Sequence, residues 1–133
     1  MGHIRSFFEL VGRACIAILF IGSGVGKIFA WDHTLAEMNL QLIPYSQLAL
    51  FLATCIEIFC GLGLLLGWHM RLSATLLALY LIPVSYFFHG FWLIADPTLR
   101  AMQFIQFGKN LGIFGGLLCL AAGPGNYRVD STD

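Results

Sequence analysis

Charge is what this sequence has least of. Its 133 residues include seven Lys or Arg and seven Asp or Glu, 11% in all, with a formal net charge of zero, whereas soluble domains carry about 25%. A soluble fold of this size exposes too much surface to cover with so few charges. No basic run is present, which sets nucleic acid aside as a partner. The four cysteines, Cys15, Cys55, Cys60 and Cys119, all sit in apolar stretches and form no C-x-x-C, so spacing gives no support to a redox dithiol. Cys55 and Cys60 are five apart and point about 140° away from each other on a helix. All four read as small buried hydrophobes. No haem-ligand or flavin signature occurs, and no metal site is expected.

What fills the sequence instead is apolar: 59% of residues are hydrophobic and the mean hydropathy is +0.83. Four apolar runs stand out, at residues 14–30, 48–68, 72–95 and 102–122. Each is roughly 17–24 residues, the length a helix needs to cross about 30 Å of hydrocarbon. None alternates as a membrane barrel strand would. The expected fold is all-α: a polytopic membrane protein forming one four-transmembrane-helix bundle over residues 1–133. The first run could be mistaken for a secretory signal, but Lys27 just before the supposed cleavage point and three further runs point to an uncleaved helix.

Residues 31–47 form the one long polar segment, with Asp32, His33, Glu37 and Pro44 and no Lys or Arg. Four spans put Arg5, Arg13, Arg71 and Arg128 on one side, and outside the runs only Arg100 on the other. The positive-inside rule makes the first side, with both termini, cytoplasmic. Small residues recur at packing intervals: Gly22 and Gly26; Gly61, Gly63 and Gly67; Gly108, Gly112 and Gly116. These predict close helix seams.

Ionisable groups inside a span cost about 2.5–3.5 kcal/mol each and usually face a partner or cavity. At about 1.5 Å per residue, Glu57 falls near the midplane and Lys27 and His89 near the outer ends of their runs. Lys109 and Asn110 fall about 10 Å inside the outer end of theirs. Interfacial anchoring also accounts for Lys27 and His89, since lysine can reach the interface along its stem. Glu57 is too short and too deep for that. It must be paired, protonated or beside a cavity. The pattern predicts one outward-opening pocket in which Glu57 handles protons and Lys27, His89, Lys109 and Asn110 bind a ligand. The stretch 22–27, with Gly22, Gly24, Gly26 and Lys27, imitates a phosphate loop. It lacks the first glycine of that motif at Ile21 and the hydroxyl after the lysine at Ile28.

With these groups placed, the chain resembles the DoxX family of small bacterial membrane proteins. The resemblance runs over residues 13–130. It is carried by Arg13 followed by the glycine-rich stretch to Lys27, and by Glu57 ahead of Gly61, Gly63 and Gly67 with Arg71 just after. His89 follows, then Lys109-Asn110 ahead of Gly115 and Gly116, and a close on Gly123-Pro124-Gly125 and Asp130. It implies a four-helix protein of the bacterial inner membrane that serves oxidoreductase systems for sulfur compounds or thiols, one branch being a subunit of a thiosulfate:quinone oxidoreductase. The expectation is a membrane subunit of a quinone- or thiol-linked redox system, with quinone as its cofactor and the lipid bilayer and other membrane redox proteins as partners. The alternative is a non-enzymatic scaffold or assembly factor.

Overall fold

The computed structural model describes residues 2–123; Pro124, Gly125, Arg128 and Asp130 lie outside the described residues. Five α-helices and a 3₁₀ turn follow one another: α1 (Gly2–Phe29), α2 (Trp31–Leu40), α3 (Ser46–Leu66), α4 (Met70–Phe88), the turn Phe91–Leu93, and α5 (Pro97–Ala122). α1, α3, α4 with its 3₁₀ extension, and α5 are long and apolar enough to cross a membrane. The protein is an all-α, polytopic membrane protein with four membrane-spanning helices. Large apolar side chains face outward, Phe59 and Leu66 each 70% exposed, while Glu57 is 2% exposed. Lipid, unlike water, exacts no cost for that exposure.

The ends of the helices follow local chemistry. Asp96 caps α5 by accepting from the backbone N–H of Leu99 at 2.9 Å, with Pro97 in the first turn, where its missing N–H costs nothing. α3 ends at Gly67, whose φ of 71° is the left-handed geometry that glycine adopts without strain. α4 continues through Pro83, which membrane helices tolerate.

Several sequence expectations need correction. α1 starts well before residue 14, because the exposed apolar residues Ile4, Phe7, Phe8 and Val11 carry the helix through Arg5 and Glu9, which pair at 3.0 Å. Residues 31–40 of the polar segment form α2, seated against α3 with Met38 buried. The close seams fall at only some of the glycines the intervals suggested. A Cβ added at Gly22, Gly26, Gly108 or Gly112 meets nothing within 4 Å. One added at Gly24 would lie 2.7 Å from Ile58 Cγ1, and one at Gly61 2.7 Å from Ile21 Cγ1. These two glycines let α1 and α3 approach, while Gly63 presses on Ser73 and the Trp68 carbonyl to bring in α4.

The half of the bundle where α1 and α4 begin holds a packed apolar core of Ala17, Phe20, Cys60, Leu64, Leu77, Leu81 and Leu117 among others. Arg13, assigned from sequence to the flank, is instead buried at the end of this core where α3 ends, donating to the Leu64 carbonyl at 3.4 Å. It thereby satisfies a carbonyl of the last turn of α3. Arg71 donates to the Gly123 carbonyl at 2.7 Å, tying the start of α4 to the end of α5. Of the cysteines only Cys60 is buried. Cys15 and Cys119 lie on outward faces, where lipid suits a thiol as well as a core does.

Candidate functional site

Three helices converge on Glu57. It sits midway along α3. Its Oε1 accepts from Lys27 Nζ of α1 at 2.8 Å and, in a short hydrogen bond, from the Tyr80 hydroxyl of α4. Lys27 Nζ also donates to Ser23 Oγ, one turn back on α1, at 2.8 Å. Lys27 is in the last turn of α1 and bends inward to reach Glu57; its side chain is 22% exposed against 3% for that of Glu57. The other carboxylate oxygen, Glu57 Oε2, is buried and has no hydrogen-bond partner among the described residues. A buried charged acceptor without a donor costs about 1–3 kcal/mol or more, and such atoms are few in native structures.

A cavity of about 430 Å³ lies beside this group, toward the end of the bundle where α1 and α4 finish. Its walls are mainly apolar, including Leu19, Phe20, Leu81 and Ile113, and its polar wall is Ser23, Lys27, Glu57 and Tyr80. Thr34, Glu37 and His89 also line it. The volume falls in the range of about 300–1,000 Å³ usual for ligand pockets. A smaller cavity of about 220 Å³ lies against α2 and α3, lined by Met38, Leu50 and Ile56, and shares Lys27 and Tyr80 with the first.

The residues singled out by sequence are therefore divided. Glu57 and Lys27 meet directly. His89 closes α4 and lines the cavity, with its Nδ1 2.7 Å from Gln103 Oε1 of α5. Asn110 belongs to another cleft of about 320 Å³ between α4 and α5, where its Nδ2 donates to Ser85 Oγ at 3.1 Å. Lys109 is exposed on α5, lines neither Glu57 cavity and makes no hydrogen bond or ion pair among the described residues. An exposed lysine facing lipid satisfies its charge by reaching along its stem toward the interface.

Sequence reading passed over Tyr80 and Ser23. One signal for Tyr80 was available. At about 1.5 Å per residue, Tyr80 stands about 15 Å from the start of α4 and Glu57 about 14 Å from the adjoining end of α3. A lone phenol at the depth of a lone carboxylate is a candidate partner. Ser23 carried the weaker signal of lying one helical turn before Lys27.

No solved structure matches the chain. The DoxX family profile matches residues 8–90, a segment containing Lys27, Glu57, Tyr80 and His89. The chain is 30% identical over 132 residues to "Inner membrane protein YphA" of Escherichia coli K12, covering 97% of this chain and 92% of that protein. It is 34% identical over 131 residues to "Inner membrane protein YqjF" of the same organism, covering 98% and 95%. The four apolar helices, the family match and this near full-length likeness identify the chain as a member of the DoxX family, a multi-pass protein of the bacterial inner membrane.

Proposed function

We propose that this chain is a membrane subunit of a quinone- or thiol-linked redox system. In this reading the outer cavity holds the polar head of the redox partner and Glu57 takes up or releases its proton. The observation that carries it is the state of Glu57. One oxygen is engaged by Lys27 and Tyr80, while the other is buried with no partner among the described residues, beside a cavity large enough for a ligand. A carboxylate kept in this way is poised for a hydrogen-bond donor. A quinol hydroxyl or a neutral thiol supplies one, and a carboxylate within hydrogen-bond reach of such a group is placed for general base work. Lys27 offsets the negative charge of Glu57, and Tyr80 orients it. Lys109 and Asn110 have no part in this pocket.

Both termini are assigned to the cytoplasmic side. Arg5, Arg13 and Arg71 gather at the end of the bundle where α1 and α4 begin. Arg100, which donates to the carbonyls of Ile94 and Ala95 at 2.8 and 3.0 Å, stands at the other.

A second reading has its own observation. The Lys27–Glu57–Tyr80 contact joins three helices, as a device fixing their register in a non-enzymatic scaffold would. Glu57→Gln separates the two, since it keeps shape and hydrogen bonding and removes the titrating charge. The experiment is complementation of a deletion strain under thiol or oxidative stress, alongside binding of a short-tailed quinol by the purified protein. Loss of both in a folded variant supports the redox reading. Retention of both leaves the scaffold.

A further inference from the structure

The ring of helices closes unevenly. α1 packs along α3, α3 along α4 and α4 along α5, but no comparable contact joins α5 back to α1 among the described residues. In the inner half the gap is stopped where Gly116 meets Ile16, an added Cβ lying 3.5 Å from Ile16 Cδ1. Leu117 is buried there in the same cluster as Ala17 and Phe20. Further outward a Cβ at Gly22 or Gly26 of α1, or at Gly108 or Gly112 of α5, would meet no atom within 4 Å.

The Glu57 cavity runs into this gap. Leu19, Ser23 and Gly26 recur at helical spacing on one face of α1. They line the cavity and are exposed, with Ile113 of α5 across from them. From Arg13 at the inner end they lie about 9, 15 and 20 Å along α1, within the roughly 30 Å of hydrocarbon. The gap opens to lipid.

The chemistry inside selects the head of what enters. Lys27 is the cation on the cavity wall, and it is already engaged by Glu57 and Ser23. A free inorganic anion finds no uncompensated positive charge there and would lose its hydration. What Glu57 Oε2 lacks among the described residues is a donor. We propose that the ligand of this cavity is an amphipathic molecule dissolved in the bilayer, neutral and hydrogen-bond-donating at its head, which reaches Glu57 sideways through the gap between α1 and α5. Its apolar tail rests against Leu19 and Ile113. This inference rests on reading the cavity as a binding site.

The route is tested without choosing a ligand. In a variant with Trp31, Trp68 and Trp92 replaced by Phe, Phe20→Trp places a single indole on the cavity wall, at a position only 4% exposed. The protein is placed in bilayer nanodiscs containing lipids brominated at mid-chain, and iodide is added to the water in a parallel sample. Quenching by the bromolipid is expected, with little by iodide. Adding Gly26→Leu and Ile113→Phe to fill the gap removes most of it. Stronger quenching by iodide, or bromolipid quenching unchanged by filling the gap, overturns the lateral route. Should Phe20→Trp fail to fold, Leu81→Trp reports from another wall. The head is tested on the wild-type protein with decylubiquinol and with thiosulfate. Decylubiquinol is expected to bind at least about tenfold more tightly, and gap filling to weaken it about tenfold, as loss of one good contact would. Tighter binding of thiosulfate overturns the proposal. Bromolipid entry with no quinol binding upholds the route and sinks the quinone reading of the site.

Discussion

Lys27 Nζ lies 2.8 Å from Glu57 Oε1, joining the last turn of α1 to the middle of α3 across thirty residues of sequence. Tyr80 adds a donor to the same oxygen. An ammonium and a phenol thus share one carboxylate oxygen in a setting where water is scarce. Removing any one member changes what the others must do.

Glu57→Leu strands the Lys27 ammonium and is expected to destabilise the bundle by about 3–5 kcal/mol, the usual cost of breaking a buried pair from one side. Adding Lys27→Met removes the stranded charge and should restore most of the loss. Thermal unfolding in mild detergent of the two single variants and the double variant measures the coupling. A double variant no more stable than Glu57→Leu would show that the pair is not the source of the cost.

Tyr80→Phe deletes one hydroxyl and leaves the ring in place. A hydrogen bond to a charged group is worth about 1.5–3 kcal/mol, so a loss of that order is expected in the same assay. In a proton-handling site complementation should also fall, in the direction set by Glu57→Gln. Unchanged stability would mean that the phenol contributes nothing to holding the carboxylate.

The glycines divide into two kinds. Gly61→Leu must push aside Ile21 and the α1 backbone, an added Cβ lying 3.4 Å from the Ala17 carbonyl oxygen, and should cost about 1–3 kcal/mol by overpacking. Gly112→Leu meets open space and should stay within about 0.5 kcal/mol, as outward substitutions do. Equal losses at both positions would mean that α5 packs against something through Gly112.

The arginine asymmetry fixes an expected orientation. A reporter fused after Asp133 should be active in the cytoplasm, and a tag inserted in the turn at 41–45, between α2 and α3, should be labelled by an impermeant reagent in intact cells. Labelling only after permeabilisation reverses the assignment.

The spans could be counted from the sequence because lipid demands about 20 apolar residues per crossing and little else. For the same reason Glu57 was recognisable: a carboxylate near the middle of such a run is rare and costly. Depth along a helix is written in residue number. Direction around the helix is not. In water an apolar stripe marks the buried face, but here the lipid-facing sides of α3 and α5 are apolar as well, so no periodicity said which face turned inward. Lys27 and Lys109 looked alike as outer-half cations, yet one meets Glu57 and the other faces outward on α5. Gly61 and Gly112 looked alike as packing glycines, yet one touches α1 and the other nothing. Tyr80 matched Glu57 in depth, but which way it pointed was not legible until α4 lay against α3. The sequence by itself determined that four helices cross a membrane and that Glu57 needs company. The tertiary structure alone decided which side chains supply it, because helix rotation is set by contacts between helices and not by the solvent they share.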